Sequence, residues 1–137
     1  MLSKKFENLK SNQTSKKIFH FSQQKVKVFS KIVDDFAPIH HDIIFAKRKG
    51  LKKNIVHGFF LSSIFSGMLG EKVPGPNSVI NTINLKFHNK VYVGQKLIFK
   101  IKIIYLAKSV RAVNLELTAM DKNKVLYVSG EALCSFI

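Results

Sequence analysis

The sequence predicts an α+β fold, a single domain in which a curved antiparallel sheet wraps a central buried helix. Three observations lead there. The 137 residues suit one domain and leave no room for two. Ile55–Leu69 is apolar on most sides, as in a helix sealed inside a core. Downstream, four segments alternate apolar and polar residues with a period of two, the pattern of half-buried strands.

The elements follow in order. Residues 1–17 read as an N-terminal extension and 18–137 as the domain. Ile18-Phe19-His20-Phe21 is short and β-like, a first strand. Ser22 is placed to cap a helix over Gln23–Val33, with Val26, Phe29, Ile32 and Val33 on one face. Asp34–His41 reads as irregular, because Pro38 removes a donor and disfavours a helical Ala37. A short segment around Ile43–Ala46 leads to a lysine-rich loop, Lys47–Asn54.

Within the central helix, Gly58, Ser62 and Ser66 recur every four residues and share a face. Small residues there admit either a closely packed backbone or a ligand. Val73-Pro74-Gly75-Pro76-Asn77 ends the helical part. The strands are then read from Ile83, Leu85 and Phe87, from Leu97 to Ile103, from Val113 to Leu117, and from Leu126 to Cys134. Asp121–Lys124 reads as one of their turns.

Composition narrows the function. There are 23 Lys and Arg against 8 Asp and Glu, a formal charge of +15. Nucleic acid is the reflex partner for such a balance. Arginine occurs only at Arg48 and Arg111, the lysines are spread along the chain, and no nucleic-acid-binding motif is present. We therefore expect no nucleic-acid partner; a basic rim would instead attract a phosphate-bearing small molecule or an acidic protein face. No apolar run is long enough for a membrane span, and Met1–Gln24 lacks the apolar stretch of a signal peptide, so the cytoplasm is the expected compartment. Cys134 is the sole cysteine, so no intrachain disulfide is expected.

Two pieces carry chemistry. Asp35 and His40 lie five residues apart on one loop, where a carboxylate and an imidazole can orient a water and exchange a proton near neutral pH. An ordinary surface loop carries the same pair, so the pair alone decides nothing. Gly58 opens the buried helix, where free N–H groups and the dipole point outward. A carbonyl oxygen placed there would be polarised as charge develops on it.

Together these pieces resemble the MaoC-like dehydratases, including the (R)-specific enoyl-CoA hydratases. That family carries Asp-x-Asn-Pro-[Leu/Ile]-His-x-Asp, matched here by Asp35, Pro38, Ile39, His40 and Asp42. Phe45-Ala46 and Ile55-Val56-His57-Gly58 follow, and similarity runs on through Ser63–Gly70, Pro74-Gly75, Leu85-Lys86-Phe87, Val93-Gly94 and Gly130-Glu131-Ala132. The resemblance implies a hot-dog fold, a homodimer, and hydration of trans-2-enoyl-CoA to the (R)-3-hydroxyacyl product. It implies Asp35 and His40 as the catalytic pair and the Gly58 amide as the oxyanion-hole donor. Ser66 would lie near the active site, with Leu69 and Leu133 lining the acyl pocket; Ser62, on the same helix face, is a substrate-binding candidate from its position alone, and tight packing against the sheet would explain it as well. The resemblance implies no metal and no cofactor, coenzyme A being part of the substrate, and either acyl-CoA or acyl carrier protein thioesters as partners. Ala37 stands where the family has asparagine, which puts full activity in doubt; His41 is an extra imidazole that offers itself as a stand-in. Two rival readings are an impaired acyl-thioester binder and a metal site built from His40, His41, Asp42 and His57.

Overall fold

A computed structural model describes residues 5–137. A 3-10 turn at Phe6–Asn8 precedes β1 (Thr14–His20), α1 (Gln23–Val33), α2 (Pro38–His41), α3 (Ile43–Arg48) and α4 (Gly58–Glu71). Then come β2 (Ser78–Phe87), β3 (Lys96–Ala107), β4 (Ala112–Met120) and β5 (Leu126–Phe136). The strands form one antiparallel sheet in the order β1-β3-β4-β5-β2. No helix of the described residues is long and apolar enough to cross a membrane.

The alternation read in the sequence builds the core. Leu97, Phe99, Ile101 and Ile103 of β3, and Val113, Leu115 and Leu117 of β4, are wholly buried on one face of the sheet. Against that face lies α4, its Phe65 ring 5.1 Å edge-on to Phe99. The Asp121 carboxylate accepts from the amides of Asn123 and Val125, closing the expected turn between β4 and β5.

Four expectations change. The fold does not divide between residues 17 and 18. β1 begins at Thr14, and Phe6 and Leu9 are buried in the core, because Phe6 packs edge-on against Phe136 at 5.5 Å. Residues 1–4 of the expected extension lie outside the described residues. Second, Asp34–His41 is not all irregular. Pro38 starts one helical turn, a position where its missing N–H costs nothing, and Ala37 stays extended before it. Third, α1 turns Val26 and Ser30 inward, both wholly buried, and leaves Ile32 and Val33 exposed. Its cap is as expected, Ser22 Oγ accepting from Lys25 N at 3.3 Å. Fourth, α4 is not buried all round and β2 is not half-buried. Phe59 on α4 is 85% exposed, and β2 is an edge strand showing Val79, Ile80, Ile83 and Phe87 to solvent.

Candidate active site

The loop that carries Asp35 and His40 is assembled by short bonds. Asp35 directly follows the left-handed residue that ends α1, and its amide donates to Ser30 O at 3.0 Å. Its Oδ1 accepts from Ala37 N at 3.1 Å, leaving Oδ2 to face inward. His40 lies on α2, docked beneath the lead-in to α4. There Asn54 Nδ2 donates to Ile39 O, and Ile55 N donates to the same carbonyl. His40 Nδ1 lies 2.7 Å from Ile55 O. A carbonyl only accepts, so Nδ1 carries the proton there and His40 Nε2 presents its lone pair to the site.

That nitrogen and Asp35 Oδ2 stand 3.9 Å apart. The gap is too long for a direct hydrogen bond and suited to a group, such as water, that touches both. The loop pair expected from the sequence is therefore brought together. A third member joins it. His57, buried at the foot of α4, stacks on His40 with centroids 3.7 Å apart, and its Nε2 is also 3.9 Å from Asp35 Oδ2. Beneath it, wholly buried Ser30 Oγ lies 2.9 Å from His57 Nε2 and 2.6 Å from His41 Nε2. Neither Ser30 nor a working His57 was read from the sequence. The available signal was a lone hydroxyl four residues after Val26 on the inward face of α1.

Burial, and the neighbouring His40, hold the His57 imidazole below its ordinary value of 6.5, although Asp35 pulls the other way. The unfolded chain takes up this proton near 6.5 and the folded chain only at lower pH. The unfolded state binds more protons in that window, so this contribution to stability is complete above 6.5 and is lost as pH falls through the lowered value. Urea denaturation from about pH 8 to about pH 5 should show that fall, and His57→Gln should flatten it.

Gly58 is the first residue of α4, and His57 before it gives no side-chain cap. The Gly58 amide has no carbonyl one turn back to bond, so it points out of the helix end. Gly58 is one wall of a groove of about 640 Å³ between α4 and β2, lined among others by Phe59, Ser62, Ser66, Ile83, Leu85 and Phe87. Ser62 donates to Gly58 O at 2.9 Å, and Ser66 is exposed one turn further along the same groove. Leu69 and Leu133 are not brought to this groove within one chain. Leu69 is buried in the core, and Leu133 alternates with buried Ala132 and Cys134, so it faces the far side of the sheet.

The metal set weighed from the sequence does not form. Asp42 Oδ1 caps α3, accepting from Ile44 N and Phe45 N, and His41 turns to Ser30. The donors that do converge are Asp35, His40 and His57, within 4.8 Å of one another. Stacking makes the two imidazole planes run side by side, 27° apart, and His57 Nε2 is already engaged by Ser30. To ligate an ion, that nitrogen would have to give up its bond to Ser30.

Ala37 is the N-cap of α2 and makes no side-chain cap bond. His41 bonds Ser30 and so does not stand in at position 37. Ala37→Asn is expected to stabilise the fold by about 1 kcal/mol, a few degrees in thermal melts.

A family model of the MaoC like domain matches residues 4–122. The chain is 30% identical over 127 residues to the (R)-specific enoyl-CoA hydratase of Aeromonas caviae, covering 93% of this chain and 95% of that protein. It is 25% identical over 115 residues to the mitochondrial 3-hydroxyacyl-(acyl-carrier-protein) dehydratase of Arabidopsis thaliana, covering 82% and 68%. The solved (R)-hydratase from A. caviae involved in PHA biosynthesis matches with a TM-score of 0.91 at 29% identity, over 96% of this chain and 99% of that one. A sheet-wrapped helix that superposes on the hydratase almost end to end, and a family match over most of the sequence, make this chain a member of the MaoC-like dehydratase family with its hot-dog fold.

Proposed function

We propose that the chain is an (R)-specific enoyl-CoA hydratase, a hydro-lyase that reversibly adds water to trans-2-enoyl thioesters to give (R)-3-hydroxyacyl thioesters. The observation that carries this is the 3.9 Å gap between Asp35 Oδ2 and His40 Nε2, beside a helix that begins at Gly58. Its supports are the A. caviae and A. thaliana relatives, one named a hydratase and the other a dehydratase.

A water in the gap gives one O–H to the carboxylate and the other to the imidazole lone pair. As its oxygen bonds to the β-carbon, Asp35 takes up a proton. The electron pair of the double bond moves through the α-carbon onto the thioester oxygen. There the Gly58 N–H and the positive end of α4 stabilise it. Collapse of this enolate takes a proton at the α-carbon, returned through the Asp35–His40 pair, so one water is added and both residues are restored. Ser62 and Ser66 lie along the acyl groove. The reaction needs no cofactor beyond the coenzyme A of the substrate. Exposed Lys47, Lys49, Lys52 and Lys53 between the loop and α4 favour a phosphate-bearing partner, coenzyme A or a carrier protein's phosphopantetheine.

The test is hydration of enoyl-CoAs of several chain lengths with chiral analysis of the product. An (R)-3-hydroxyacyl product supports the reading. Tight binding of enoyl-CoA without turnover would replace it with the impaired thioester binder that Ala37 suggests.

The same reading includes a homodimer. The unpaired edge of β2 and the exposed Val79, Ile80, Ile83 and Phe87 suit a second copy added edge to edge. Sedimentation at micromolar concentration is expected to give the dimer mass, and a monomer alone would refute it.

A further inference from the structure

Ser30 is wholly buried, yet its hydroxyl meets two imidazoles, His57 Nε2 at 2.9 Å and His41 Nε2 at 2.6 Å. One hydroxyl proton can serve only one of them, so the other ring must donate. The direction follows from the far side of His57. Its Nδ1 is buried and has no hydrogen-bond partner. A proton on Nδ1 would be a buried N–H with no acceptor, whereas a bare lone pair there is the cheaper vacancy. The proton therefore sits on Nε2. His57 Nε2–H donates to Ser30 Oγ, Ser30 O–H donates to His41 Nε2, and His41 carries its own proton on Nδ1.

This chain of donors ends against the reacting groups, because the His57 ring lies flat on His40, 27° from parallel. Phe29 also packs on His57, tilted by 55° with centroids 5.0 Å apart. The stacked ring cannot turn freely about its Cβ–Cγ bond, so what stays open is which nitrogen carries the proton, and the Ser30 bond bears on that choice. We propose that Ser30 is a positioning residue for the hydration reaction: relayed to His41, it fixes His57 as the Nε2–H tautomer with that edge toward Asp35, and so sets the place of the His40 ring that shares the water. This rests on the hydratase reading for its catalytic consequence, and on the hydrogen-bond geometry alone for the tautomer.

The experiment separates the two. Protein labelled with ¹⁵N in its histidine rings is compared by NMR as wild type, Ser30→Ala, Ser30→Thr and His41→Phe, beside crotonyl-CoA kinetics of each. Wild type should show His57 protonated at Nε2 and His41 at Nδ1. Ser30→Ala should weaken the preference for Nε2–H, because that proton loses its nearest acceptor and keeps only Asp35 beside it. It should lower kcat on the order of 10- to 100-fold, the cost of a slightly misplaced group, with KM within about twofold. Ser30→Thr, which keeps the hydroxyl, should recover most of both. In His41→Phe the Ser30 proton loses its acceptor and turns to His57, which should shift towards the Nδ1–H form. If Ser30→Ala does not fold, His41→Phe alone decides, since its change lies at the partly exposed end of the relay. An unchanged Nε2–H signal for His57 in both Ser30→Ala and His41→Phe, or in His41→Phe alone where Ser30→Ala fails to fold, overturns the assignment. Wild type that turns over no enoyl-CoA refutes the hydratase reading instead, and the NMR result stands apart from it.

Discussion

Asp35→Asn is expected to lower turnover of crotonyl-CoA on the order of 100- to 10,000-fold, the usual contribution of a general base. The fold should survive. The amide keeps an oxygen for the Ala37 N–H that Oδ1 now accepts at 3.1 Å, and the side chain is 43% exposed, so no core contact is lost. What it cannot do is take the proton of the attacking water. The effect should fall on kcat and far less on KM, because the carboxylate faces the water position and the acyl groove lies along α4. Steady-state kinetics with a thermal melt of the same sample check this, and turnover near wild type would remove Asp35 from the mechanism.

His40→Ala is expected to match that loss in turnover and to cost stability as well. Removing the ring takes away the water's second anchor. It also leaves Ile55 O without its 2.7 Å partner and His57 without the ring stacked on it. An unsatisfied buried acceptor costs about 1–3 kcal/mol, so the melting temperature should drop measurably while that of Asp35→Asn should not. The double variant Asp35→Asn/His40→Ala should be barely worse than either single one, because both residues act on one water. Multiplicative losses would mean that they work on separate steps.

The sequence was most informative where a local rule decides the outcome. Period-two alternation located the inward residues of β3 and β4, since a strand paired on both sides with one face on a helix leaves no other choice. The same rule misled at β2, because it is an edge strand exposed along most of its length, and alternation does not say where a sheet stops. That Asp35 and His40 would meet could be foreseen because one short loop carries both, but it was the family resemblance that singled them and Gly58 out. The meeting of Ser30, His41 and His57 could not be foreseen, since it depends on how α1, α2 and the start of α4 dock. Pairs 11 and 27 residues apart leave no periodic trace. Leu133 shows the converse. The resemblance implied a place in the acyl pocket, and strand parity puts its side chain on the opposite face from Ala132.

The open edge of β2 takes on another meaning beside the +15 charge. A bare strand edge is a template for any extended chain, the intended one or not. Copies that each carry a large charge of one sign repel before they touch, and only an encounter that buries a broad apolar area overcomes this. The lysines would then act as a filter on assembly, admitting a well-matched second copy and turning away chance strand pairings. Dissolved ions would loosen that filter, making ionic strength, as much as concentration, the variable that sorts ordered pairing from aggregation.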